Sequence, residues 1–116
     1  MYKKTYKQIE RLSKQYISVF FPQWYNYVKG IKVVYKTTEE IPDITAHYYF
    51  GDKTIHVYYI KNEVDLFRTF LHEYAHAIDY IINKHEKTHT HKWVAIMNKM
   101  LKPLKAIHKE KISRFF

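Results

Sequence analysis

The stretch Asn62–Asn83, NEVDLFRTFLHEYAHAIDYIIN, limits what this chain can become more than any other part of it. Phe67, Phe70, Leu71, Tyr74, Ala75, Ile78, Ile81 and Ile82 recur at helical spacing, which predicts one long helix with a broad buried face. Asn62 is a suitable N-cap, and Glu63 and Asp65 complement the positive end of the helix dipole. A second, polar stripe of Thr69, His72, His76, Asp79 and Asn83 borders the apolar face, as suits a cleft. Within it stands His72-Glu73-x-x-His76. Residues four apart lie one turn above each other on a helix, so both imidazoles can face one metal ion with Glu73 beside them. That spacing is the signature of a zinc hydrolase.

A chain of 116 residues has room for one domain over residues 1–116, with a single core. Its 47% hydrophobic and 18% aromatic content exclude a disordered polymer. No apolar run is long enough to span a membrane, and MYKKTYKQIE lacks the apolar centre of a signal peptide, so an intracellular protein with no membrane partner is expected. With no cysteine, His, Asp and Glu are left as metal ligands. The formal charge of +9 points to a polyanionic partner such as DNA or RNA, or to an anionic surface, while a solvated lysine-rich surface explains part of it.

From the N-terminus, a first helix is expected over about 2–21, with Tyr2, Tyr6, Ile9, Leu12, Tyr16, Val19 and Phe20 inward and Pro22 ending it. Lys3, Lys7, Arg11 and Lys14 form a basic stripe on another face, a place where phosphates can dock. Residues 23–30 read as an irregular or short helical connector. A sheet is expected over about 31–60: Ile31, Val33 and Tyr35 alternate with Lys32, Val34 and Lys36, and Gly51-Asp52 gives a Gly-first two-residue hairpin signal. That register sets Tyr49 opposite Thr54 and His47 opposite His56, with Ala46, Tyr48, Phe50, Ile55, Val57 and Tyr59 on the apolar face. The His47–His56 pair reads better as a half-exposed cross-strand contact than as a metal site, with lining of the substrate cleft left open as a further role. The fold class is α+β: a small three-stranded antiparallel or mixed sheet packed against helices.

A catalytic zinc takes three protein ligands, and the return KHEKTHTHKW after the motif helix (about 62–83) is where the third is sought. His85 falls on the wrong side of a helix continued that far, which leaves His89 and His91; Glu86 and Glu110 are weaker alternatives. Thr88 or Thr90 can cap a last helix over about 91–109, with Trp93, Ile96, Met97, Met100, Leu101 and Leu104 inward and Pro103 kinking or shortening it.

The joint occurrence of FLHEYAHAIDY, a short loop, and HTHKW opening an amphipathic helix resembles the SprT-like metalloproteases, the group that includes Spartan. The hairpin AHYYFGDKTIHVYYI also looks like the family's sheet, so the resemblance covers roughly Thr45 to Met100. It implies a zincin-like domain in which the histidine opening a His-Gly-x-x-Phe/Trp motif is the third ligand. Carried over, that histidine is His89 and the aromatic is Trp93, while Thr90 stands where the family has glycine. His91 is then the reserve ligand, and the zinc ribbon of many relatives is absent from this sequence.

The ligand set His72, His76 and His89 implies Zn2+, which acidifies bound water and polarises a peptide carbonyl, with Glu73 as the catalytic base. Asp79 is read either as a group that orients a ligand or as a solvated helix residue. Three functions compete. The resemblance implies a zinc endopeptidase acting on proteins trapped on single-stranded or damaged DNA, which the basic helices suit, including Lys99, Lys102, Lys105, Lys109, Lys111 and Arg114. The others are a zinc peptidase cleaving a free regulatory protein such as a repressor, and a non-enzymatic nucleic-acid-binding domain.

Overall fold

The computed structural model describes residues 3–36, 45–84 and 89–106. Tyr2, the loop 38–44, His85, Glu86, Thr88 and everything from 107 onward, including Lys109, Glu110, Lys111 and Arg114, lie outside the described residues, as does the side chain of Lys105. Helices α1 (Lys3–Phe20) and α2 (Pro22–Val28) come first, then strands β1 (Lys32–Tyr35), β2 (Ala46–Tyr49) and β3 (Thr54–Val57). Helices α3 (Glu63–Asn83) and α4 (His91–Ala106) complete an α+β fold. Among the described residues no helix is long and apolar enough to cross a membrane.

Pro22 explains the α1–α2 junction. Its ring drives the preceding residue out of helical geometry, and Phe21 adopts φ −138°, while Pro22 itself is well suited to the first turn of a helix. The connector expected there is therefore a short helix, which buries Trp24 and Val28. On α1 the inward residues are Tyr6, Ile9, Ser13, Tyr16 and Ile17. Val19 and Phe20 were expected inward, but Val19 is 65% exposed and Phe20 also faces out, because the chain turns at Phe21 before their side can meet the core. Tyr6 links α1 to the start of α3: its hydroxyl donates to the Ile60 carbonyl at 3.1 Å and accepts from the Ile60 N–H at 3.0 Å.

The sheet is mixed, in the order β1-β3-β2, with β1 parallel and β2 antiparallel to the central β3. His47 opposes His56 and Tyr49 opposes Thr54, as the alternation predicts. The turn differs from the expected one. Residues 50–53 form the loop, and the left-handed residue is Lys53, at φ 51°, while Gly51 has no positive φ. Alternation also ends at Val57, so Tyr58 and Ile60 are buried and Tyr59, expected on the apolar face, is exposed.

Helix α3 packs against α1, α2, α4 and β2, and from Leu66 to Ile78 nearly every residue but Arg68, Thr69 and His72 is buried. Its ends are capped: the Asn62 side chain accepts from the Asp65 N–H, and left-handed Lys84 returns its N–H to the Tyr80 carbonyl. Ile82, counted on the apolar face by spacing, is 48% exposed, lying past the last packed turn. Helix α4 continues through Pro103 to Ala106. Pro103 removes one N–H from that turn, and the Tyr16 hydroxyl engages it, donating to the Met100 carbonyl and bonding the Leu104 backbone.

Candidate metal centre and active-site cleft

Helix α3 presents His72 and His76 one turn apart, with their Nε2 atoms 3.2 Å from each other. His89, two residues before α4, lies at the same point, its Nε2 3.2 Å from that of His72. The three ligand nitrogens all lie within 4.8 Å of one another and form a group that could hold a metal ion. His91 is not part of it: it opens α4 and is exposed. Among the described residues the donor set contains imidazole nitrogens only, which suits a borderline-soft divalent ion.

His89 reaches the site because its own backbone is left-handed, at φ 57°. The glycine expected one position later is not required, since Thr90 has no positive φ. Thr90 instead caps α4, its Oγ1 accepting the Trp93 N–H at 3.1 Å. The indole of Trp93 then forms the floor of the site. It stacks on His76 with centroids 5.0 Å apart and an interplanar angle of 21°, and meets His72 edge-on at 4.7 Å and His89 at 4.5 Å. Its Nε1–H points at the His72 carbonyl at 3.4 Å. A single side chain thus touches all three imidazoles and limits their rotation.

Burial sets the protonation states. It lowers the pKa of His76 to about 4, assisted by His72 and His89 and opposed by Asp79. His72 is lowered by burial and then by His89. Both imidazoles are neutral at pH 7, the form that binds metal. Glu73, 5% exposed, has its carboxyl pushed up to about 7 by burial, against a hydrogen bond from the Tyr48 backbone. Its Oε1 lies 4.0 Å from His72 Nε2.

That contact locates the cleft. The Tyr58 N–H donates to the Thr45 carbonyl at 2.9 Å, so Thr45, His47 and Tyr49 turn their backbone groups toward β3. Ala46 and Tyr48 turn theirs to the edge that no other described strand covers, where Glu73 sits. A cleft of about 910 Å³ runs along this edge, lined by β2 with His47, by Glu73 and the three histidines, and by Met97 of α4. His56 does not line it; the Tyr49 ring lies 4.7 Å from His47 and 4.4 Å from His56.

A family model described as the SprT-like family matches residues 9–111, most of the chain. The chain belongs to the SprT-like family. No curated protein and no solved structure matches it.

Away from the cleft of this SprT-like chain, Lys3, Lys7 and Arg11 line a groove of about 1140 Å³ between α1 and β1, together with Lys32, Tyr25 and Tyr35. Lys14, grouped with them by spacing, lines the same groove, and its Nζ donates to the Ile31 carbonyl at 2.8 Å, reaches the Lys29 carbonyl at 3.4 Å, and lies 3.5 Å from Glu10 Oε2. It fastens the α2–β1 turn. Lys99 likewise lies over the Trp24 ring at 5.2 Å.

Two features of the site were not read from the sequence: the three-way contact of Trp93 and the Tyr48 backbone bond to Glu73. The spacing of Trp93 from Thr90, that of an N-cap and its third helical residue, was a usable signal for the first. The second depends on which strand lies at the edge, and no local pattern encodes that.

Proposed function

We propose that this SprT-like chain is a zinc-dependent endopeptidase of zincin type, acting on proteins bound or crosslinked to DNA. The observation that carries the peptidase reading is the convergence of three imidazole nitrogens and one buried carboxyl at the open edge of a strand. The SprT-like family is generally associated with metalloprotease-like activity. His72, His76 and His89 would hold the zinc ion, whose chemistry is to acidify water and polarise a carbonyl.

The remaining work falls to residues of this chain. Glu73 is the general base. Its proton affinity, raised by burial to a pKa of about 7, lets it take a proton from the attacking water near neutral pH and return it to the leaving amine. The Tyr48 N–H holds that carboxylate in place. An extended substrate can lie along β2 and pair with the outward backbone groups of Ala46. Such main-chain pairing tolerates many sequences, which suits an enzyme that meets diverse DNA-bound proteins.

The DNA association rests on charge. Lys3, Lys7, Arg11 and Lys32 converge on one groove whose acidic residue, Glu10, is already engaged by Lys14 and by the Tyr35 hydroxyl. Tyr25 and Tyr35 add aromatic surface of the kind on which unpaired bases stack.

The test is cleavage of a basic DNA-binding protein, with and without single-stranded DNA, by wild type and by Glu73→Gln. Cleavage that needs both DNA and Glu73 supports the whole reading. DNA-independent cleavage reassigns the substrate to a free protein, and no cleavage by folded, zinc-loaded protein removes the peptidase.

A further inference from the structure

We infer that Asp79 is a positioning residue that sets His89 through Thr90, whose hydroxyl links the two segments of the metal site; the inference rests on the metal-site reading above. His72 and His76 belong to a long helix, but His89 comes from a separate segment and in a left-handed backbone conformation that non-glycine residues rarely adopt. Such a residue stays in place only when its neighbours hold it.

The neighbour is Thr90. Its Oγ1 donates to Asp79 Oδ2 at 3.2 Å and accepts from the Trp93 N–H at 3.1 Å. One hydroxyl therefore ties α3 to the first turn of α4 directly beside His89, and also places the indole that backs all three imidazoles. Asp79 is suited to anchor this tie. It lies on α3 one turn beyond His76, is 1% exposed, and has its other oxygen occupied by the Asn83 Nδ2 at 2.7 Å. A carboxylate that buried is costly without hydrogen-bond donors, so it holds strongly to the ones it has.

Loss of a group that orients a metal ligand typically weakens metal binding by about 10–100-fold. The experiment measures zinc affinity of the metal-free protein by chelator competition, for wild type, Asp79→Ala, Thr90→Val, Thr90→Ser and the Asp79→Ala/Thr90→Val double variant. Cobalt(II) absorption reports ligand geometry alongside. Expected results are binding weakened by about 10–100-fold in each of Asp79→Ala and Thr90→Val, affinity close to wild type in Thr90→Ser, and a double variant no weaker than the weaker single one.

Thr90→Val binding zinc as wild type does, or losses that simply add in the double variant, would overturn the inference. If Asp79→Ala fails to fold, the Thr90→Val and Thr90→Ser pair decides it, since both keep Asp79. A role confined to stability would lower the melting temperature of the metal-free variants and leave the cobalt spectrum unchanged. Wild type that binds no metal overturns this inference together with the metal-site reading, whereas equal binding by wild type and Thr90→Val overturns this inference alone.

Discussion

Replacing Glu73 by Gln should abolish proteolysis and at the same time stabilise the metal-free protein, by an amount that the burial of the carboxyl sets. Burial raises its pKa from 4.5 in the open chain to about 7 in the fold. At about 1.4 kcal/mol for each tenfold change in proton affinity, ionising Glu73 in place costs roughly 3 kcal/mol. The sign follows from proton counts. Between pH 4.5 and 7 the folded state keeps a proton that the unfolded chain has released, so stability falls as pH rises through that window. Gln has the same shape, still offers a carbonyl to the Tyr48 N–H, and never ionises. In chelator-treated samples at pH 8, Glu73→Gln should therefore melt roughly 10 °C above wild type, and the gap should close as pH falls to about 4.5. At pH 8 His72 and His76 are neutral in both proteins and add nothing to the difference there. Zinc should shrink the gap at pH 8, because a nearby cation favours the carboxylate. A melting gain that is absent at pH 8, or equally large at pH 4.5, would refute the argument that the carboxyl is held ionised against its burial.

Six further substitutions test other parts of the structure. His89→Ala should lose zinc in a chelator competition while His91→Ala keeps it, since His91 lies outside the imidazole cluster. Lys7→Ala and Arg11→Ala should each lower affinity for single-stranded DNA and reduce its log-log salt slope by about one. Lys14→Ala should leave that slope unchanged and instead lower stability by about 1–2 kcal/mol in urea denaturation, through its lost bond to the Ile31 carbonyl. Tyr6→Phe leaves both the Ile60 N–H and its carbonyl without their partner in a buried site, and chemical denaturation should show a loss of about 2–4 kcal/mol.

What the sequence determined by itself is the local geometry. The three-and-four spacing of α3, its Asn62 cap, and the placing of His72, Glu73 and His76 on its face follow from helical periodicity, which acts over a single turn. The hairpin register was legible for the same reason: alternation in β2 and β3 leaves one pairing that buries Tyr48 with Ile55, although the turn residues misidentified the left-handed position. At the ends of the elements the pattern ran past the packing, so Val19, Phe20, Tyr59 and Ile82 carry apolar side chains that the fold leaves outside.

The tertiary structure decided everything that joins distant segments. It chose between His89 and His91 for the cluster, because the choice depends on a left-handed backbone and on where α4 is capped. It tied Lys14 to backbone carbonyls within the groove that Lys7 and Arg11, on the same helix face, also line. It put β2 at the edge of the sheet and Glu73 against it, and so raised that carboxyl toward neutrality. Desolvation and long-range hydrogen bonds are properties of the assembled surroundings, and no stretch of sequence contains its surroundings.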